Sequence, residues 1–321
     1  MNQEETDKLY MGRCLQLARN GVYGARPNPM VGAVIVSGDG RIIGEGYHAH
    51  CGQGHAEVNA FASVRPEDEA LLQEATIYVS LEPCSHYGKT PPCADLIIRK
   101  GVKRVVCGCV DPFAKVRGRG IQKIRDAGIE VTVGVLEKEC LELNRRFITC
   151  NTLRRPYVML KWARTANDRL NRGDGKQLLI STPWTQALVH KLRSEFDCIL
   201  VGYNTIITDH PQLNVRRWVG PNPTRLVLSG NHKVPEGFMG FGSIEEVMRW
   251  MNDNHRQSLL VEGGASTLQS FLEADCWDAI RVETGTASVP CGTRAPERPK
   301  DIRLLSREMA DGNIIETYER K

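Results

Sequence analysis

No run of apolar residues in this 321-residue chain approaches the roughly 20 needed to span a bilayer, so no membrane association is expected. Nor is there a basic tract. Lys and Arg number 42 against 38 Asp and Glu, a net charge of +4. The densest basic clusters are the pairs Arg145-Arg146, Arg154-Arg155 and Arg216-Arg217. Pairs of this kind do not track a nucleic-acid backbone, and no nucleic-acid partner is expected. The opening residues, Met1-Asn2-Gln3-Glu4-Glu5-Thr6-Asp7-Lys8, are acidic and polar, without the apolar h-region of a secretory signal. Eleven cysteines, an odd count, then fit a reducing, cytoplasmic setting better than a disulfide framework. Repeats and low-complexity segments are also lacking.

What is present is an ordinary globular composition, 41% hydrophobic and 25% charged, in a chain longer than one typical domain. Helical spacing of Leu9, Met11, Cys14, Leu15, Leu17 and Ala18 predicts a helix over 4–20, closed by Asn20-Gly21. Gly38-Asp39-Gly40 between two β-rich runs, 31–37 and 41–46, is a hairpin signal. Strands over 76–80, 104–109 and 130–134 then alternate with helices from 55, 94–100, 118–127 and 137–150. Pro156 blocks further helix, so a boundary near 150 gives domains 1–150 and 151–321. The second half alternates as well. Strands are expected over 157–163, 198–202, 225–229, 258–261, 279–283 and 313–318, and helices over 183–193, 244–252 and 266–272. Both halves read as α/β layers.

One constellation carries chemistry. His55-Ala56-Glu57, with Pro83-Cys84 and Cys93 downstream, offers three borderline-to-soft metal ligands and one carboxylate that is not a ligand. Zinc held by three protein ligands keeps a fourth position for water and lowers that water's pKa to about 7. His55, Cys84 and Cys93 are thus candidate zinc ligands and Glu57 the candidate acid/base, as in the H-x-E…P-C-x-x-C signature of zinc deaminases. An eight-residue loop, Ser85 to Pro92, stands where that signature has two residues. The rival reading is a closed structural zinc with His48, His50 or His86 as fourth ligand.

The stretch Leu81 to Cys93, together with Pro27-Asn28-Pro29-Met30-Val31-Gly32 and Gly54-His55-Ala56-Glu57-Val58, resembles the deaminase half of the bifunctional riboflavin-biosynthesis deaminase/reductase family. The resemblance covers about 1–147, and a weaker one to the family's reductase half runs from Pro156 onward. It implies a cytidine-deaminase-like three-layer domain followed by a dihydrofolate-reductase-like domain. It further implies Zn2+ and NADPH as cofactors, phosphoribosylaminopyrimidine substrates, and a homo-oligomer, dimer or tetramer. Asn28, His86 and Lys89 would face the first substrate; Asn28 reads equally as a turn residue between prolines, and the other two as solvated loop residues.

In the second half Leu260-Val261-Glu262-Gly263-Gly264-Ala265-Ser266-Thr267 runs from strand to helix, a place where backbone N–H groups can approach a phosphate. It is not the G-x-G-x-x-G spacing, and a plain tight turn reads the same way. By resemblance, Ala163, Thr205, Asp209, Gly264, Ala265, Ser266 and Thr267 line the NADPH site, while Arg193, Leu213, Arg216 and Glu262 touch the substrate. The chain departs from the family's serine-leucine-aspartate-glycine with Thr165-Ala166-Asn167-Asp168. It also carries Gln177 and Leu179 where serine and tryptophan are common, and 229–243 reads as though a strand were missing. Two alternatives stay open: a deaminase of other pyrimidines or nucleosides, and a second half that binds nucleotide without turnover.

Overall fold

The computed structural model describes residues 2–87, 91–112, 118–174, 176 and 178–321. They divide into two units, Met1–Leu153 and Arg154–Lys321. The first begins with α1 (Gln3–Arg19), whose start is capped reciprocally by Asn2 and Glu5. It continues through β1 (Gly32–Val36), β2 (Ile42–Tyr47), α2 (Ala56–Ala62), a 3-10 turn (Pro66–Glu74), β3 (Thr76–Val79), α3 (Cys93–Lys100), β4 (Arg104–Cys107), α4 (Arg119–Asp126), β5 (Glu130–Val133), α5 (Glu137–Leu143) and α6 (Arg145–Leu153). The sheet order is β2-β1-β3-β4-β5, antiparallel between β2, β1 and β3 and parallel from β3 to β5.

Strand alternation sends side chains to two cores. Ala33, Ile35, Ile77, Val79 and Val105 meet Ala56 and Ala60 of α2, Ala94 and Ile97 of α3, and Ile121 and Ile124 of α4. On the other face Val34, Val36, Tyr78 and Val106 meet Met11, Cys14 and Leu15 of α1. Two glycines set how closely α2 lies on β2. A Cβ on Gly46 would stand 2.3 Å from the Ala60 nitrogen, and one on Gly44 2.5 Å from the Ala60 oxygen. The single helix expected over 137–150 is instead two, α5 and α6, broken at Asn144. Its amide turns to the backbone of Met30, accepting from the N–H at 2.8 Å and donating to the carbonyl at 2.9 Å.

The second unit contains β6 (Tyr157–Arg164), α7 (Pro183–Ser194), β7 (Cys198–Gly202), α8 (Tyr203–Asp209), β8 (Thr224–Leu228), β9 (Met239–Phe241), α9 (Ile244–Asp253), β10 (Ser258–Val261), α10 (Ala265–Glu273), β11 (Ala279–Thr284), β12 (Ile302–Ala310) and β13 (Asn313–Arg320). Its sheet runs β12-β13-β11-β6-β10-β7-β8-β9, parallel from β11 through β9, with the β12–β13 hairpin antiparallel on one edge. Between 229 and 243, the segment that reads as though a strand were missing, one short strand, β9, pairs in parallel with β8. No helix among the described residues is long and apolar enough to cross a membrane.

Candidate functional site

His55 is the residue before α2, Glu57 lies in that helix's first turn, and Cys93 opens α3. Cys84 lies in the connection between β3 and α3. These elements bring the Nδ1 of His55 to 3.5 Å from the Cys84 sulfur and 3.4 Å from the Cys93 sulfur, with all three donor atoms within 4.8 Å of one another. A tetrahedral zinc with bonds of about 2.05 Å to nitrogen and 2.3 Å to sulfur holds such atoms ~3.5 Å apart. The residues therefore fit the ion without rearrangement, and a two-sulfur, one-nitrogen set suits zinc chemically. The Cys93 N–H, at the head of α3, donates to the Cys84 sulfur at 3.3 Å. Hydrogen bonds from Cys93 and His55 hold the Cys84 thiol below its ordinary value despite burial.

Glu57 is 3% exposed. Burial first, and then the neighbouring Cys84, push its carboxyl up to about 7. His48 packs edge-on against His55, ring centroids 5.4 Å apart, and its Nε2 lies 3.1 Å from the Asn28 side-chain nitrogen. The structure thus brings Asn28 near the cluster through His48. His86 is exposed in the inserted loop, and Lys89 lies outside the described residues.

In the second unit Ala163 lies near the end of β6, Gly264 to Thr267 follow β10, and Thr205 and Asp209 sit on α8 after β7. These three strands are neighbours and parallel, so the residues gather at one sheet end, where open α/β sheets bind ligands. Gly264 caps α10, its N–H donating to the Thr205 hydroxyl at 3.2 Å. An added Cβ there would meet only that hydroxyl, at 3.4 Å. Such a backbone turn, open to its surroundings and next to a hydroxyl, fits a dinucleotide phosphate. Arg193 gives Nε and one terminal nitrogen to Glu262, both at 2.9 Å, and another to the Asn214 carbonyl at 3.3 Å. Its fork is thus directed at Glu262. Burial would raise the Glu262 carboxyl, but Arg193 and Lys161 outweigh it and hold it at about 2. Leu213 points into the core, 3% exposed, on backbone of φ 49°, so only its main chain is available to a ligand. Arg216 is exposed.

Residues 4–109 match the cytidine and deoxycytidylate deaminase zinc-binding region, and 156–287 match the RibD C-terminal domain. The chain is 41% identical to the riboflavin biosynthesis protein RibD of Actinobacillus pleuropneumoniae, over 98% of this chain and 95% of that one. It is 38% identical to the Aquifex aeolicus RibD, over 87% and 86%. The chain belongs to the RibD family. Among solved structures, the Thermotoga maritima diaminohydroxyphosphoribosylaminopyrimidine deaminase/5-amino-6-(5-phosphoribosylamino)uracil reductase superposes with a TM-score of 0.90 at 33% identity, all of both chains covered. Acinetobacter baumannii RibD gives 0.89 at 29%, covering 99% of this chain and 100% of that one. RibD proteins are enzymes of riboflavin biosynthesis joining a zinc deaminase to an NADPH-dependent reductase.

This RibD chain's departures have local explanations. Asp168 adopts φ 66°, a left-handed position that glycine favours and that Asp tolerates, and it pairs with Arg164 at 2.8 Å. Asn167 donates to the Val289 carbonyl at 2.7 Å and accepts from the Val289 N–H at 3.2 Å. An ionised aspartate could make only the second bond. Leu179 is 71% exposed, and Gln177 lies outside the described residues. Two residues escaped the sequence reading. Lys161, 9% exposed and lowered by burial, neighbours Glu262 and Glu283; a lone lysine in the apolar run 157–163 was the signal. Glu82 accepts from the backbone N–H of Gly118 and Gly120, both at 2.9 Å, tying the start of α4 to the Cys84 segment. Nothing in its sequence spacing announces that.

Proposed function

We propose that residues 1–150 deaminate a diamino-phosphoribosylamino-pyrimidinone to the corresponding uracil, and that residues 151–321 reduce the ribosyl group of that product to ribityl phosphate. The observation that carries the first half is the meeting of His55, Cys84 and Cys93 around one point, with a buried carboxyl two residues from His55. Zinc, when bound by these three side chains, supplies a Lewis acid that makes water nucleophilic at neutral pH. Glu57 takes a proton from that water and returns it to the departing amine, and a carboxyl pushed up to about 7 is suited to both directions. Asn28, with His86 and Lys89 of the inserted loop, would orient the ring and its phosphate.

For the second half, NADPH, when bound, supplies the hydride. Ala163, Thr205, Asp209 and the turn Gly264, Ala265, Ser266 and Thr267 would hold it. Glu262, kept ionised by Arg193 and Lys161, would face the substrate; exposed Arg216 would meet its phosphate and Leu213 would contribute backbone. We place the protein in a reducing compartment, where an odd count of eleven cysteines would remain as thiols. The test is a coupled assay on purified protein. Ammonia should be released from the diaminopyrimidinone first, and NADPH absorbance should fall only once the uracil is present. Ammonia release with no NADPH oxidation would favour the reading in which the second unit binds nucleotide without turnover.

A further inference from the structure

The segment from Gln212 to Arg216 lies between α8 and β8, outside any helix or strand, yet four side chains from elsewhere hold its main chain. The Gln212 carbonyl accepts from Arg225 at 3.4 Å and the Asn214 carbonyl from Arg193 at 3.3 Å. The Val215 N–H donates to the Asn222 side-chain oxygen at 2.7 Å, and the Arg216 N–H to His190 Nδ1 at 3.1 Å. Leu213, in the middle, is buried on left-handed backbone of φ 49°. Such backbone is unfavourable for leucine and persists only where its surroundings over-determine it. Asn214 ties the segment to its own arginine, because its side-chain oxygen accepts from the Arg216 guanidinium at 2.8 Å. His190 and Arg193 are one turn apart on α7, so a single helix face holds both the Arg216 N–H and the Asn214 carbonyl. His190 is 3% exposed. A backbone N–H only donates, so the Nδ1 that receives it carries a lone pair and the ring is uncharged. Burial first, and then Arg193 and Arg216, hold the imidazole down at about 4, against the Asn214 backbone and Glu262. The acceptor is therefore kept at neutral pH.

We propose that His190 is a positioning residue for the reductase substrate: by accepting from the Arg216 N–H it fixes the segment 212–216, and with it the Arg216 guanidinium, for the substrate's phosphate monoester. This rests on the reading above in which Arg216 meets the phosphate, and adds to it what holds Arg216 in place. An exposed arginine gives up much side-chain freedom when it binds an anion. Holding it beforehand, at the main chain by His190 and at the guanidinium by Asn214, lowers that cost and tightens the phosphate complex. His190 is itself covered by the chain and acts only through the segment it holds. Its contribution therefore goes to ligands that carry the phosphate and to no others.

The test follows NADPH oxidation by the full-length protein on phosphoribosylaminouracil and on the same compound without its phosphate. Wild type should favour the phosphorylated compound by at least about 10-fold in kcat/KM. His190→Leu removes the acceptor at similar volume. It should erase most of that advantage by raising KM for the phosphorylated compound about 10-fold with kcat little changed, the mark of lost binding rather than lost chemistry. Its kcat/KM on the dephosphorylated compound and its NADPH dissociation constant should match wild type. His190→Asn, whose side-chain oxygen falls near the place of Nδ1, should keep the advantage. If His190→Leu does not fold, Asn222→Ala decides, because it removes the Val215 acceptor at an exposed residue and must show the same selective loss. Equal losses on both compounds, an undiminished advantage in the variant that decides, or an advantage lost from folded His190→Asn would each overturn the proposal. A wild type that uses both compounds equally well overturns the placement of the phosphate at Arg216 instead, and one that oxidises no NADPH overturns the reductase reading.

Discussion

Replacing Cys84 or Cys93 with Ser exchanges a thiolate for a poor zinc ligand while changing little volume. Metal content should fall well below one per chain in either variant, and ammonia release should fall with it. Metal analysis after dialysis checks this, and stoichiometric zinc in both variants would put the metal elsewhere. At this scale the sequence was most legible where chemistry fixes residue type. That His55, Cys84 and Cys93 would meet, with Glu57 buried two residues from His55, was foreseeable because a three-ligand zinc with a nearby carboxylate would need those side chains. The contact of the Asn28 side-chain nitrogen with His48, 20 residues away, was not, because only the folded loop brings the two together. Likewise the sequence could offer Arg193 to a phosphate but could not announce its pairing with Glu262, 69 residues away.

Among the elements, α2 is the one that aims the site, and β2 aims α2. Gly46→Ala would put a methyl 2.3 Å from the Ala60 nitrogen and 2.6 Å from the Ala56 oxygen. These are backbone atoms, so the helix must shift. We expect a stability loss of about 1–3 kcal/mol in a denaturant melt, together with weaker zinc retention, since His55 and Glu57 ride on that helix. An unchanged melt and unchanged zinc would mean that α2 does not need this approach. Strong periodicity made α1 and the central strands legible. The break at Asn144 was not, since it exists for Met30. Three elements of the second unit were missed for local reasons. β9 has three residues; β12, Ile302–Ala310, mixes exposed and half-buried side chains; α8 follows β7 directly, with no side-chain cap.

Across the first unit, Asp7 joins α1 to the sheet. It accepts from both terminal nitrogens of Arg104 at 2.8 Å and from the Tyr78 hydroxyl at 3.0 Å. Burial alone would raise its carboxyl, but the hydrogen bonds from Arg104, Gln3 and Tyr78 prevail and hold it below 3.8. A depressed folded pKa means that the contribution is complete above 3.8 and is lost as pH falls through the lower, folded value. The gap in melting temperature between wild type and Asp7→Asn should therefore be full at neutral pH and shrink in acid. A gap that stays constant down to the acid limb would remove Asp7 from the account. The central claim, that three side chains hold a metal while a fourth, buried beside them, moves protons, is tested most directly by zinc content and ammonia release measured together on Glu57→Gln. The account predicts zinc near one per chain with ammonia release lower by about 10² or more. Zinc lost from Glu57→Gln, or deamination preserved in it, would contradict that division of labour.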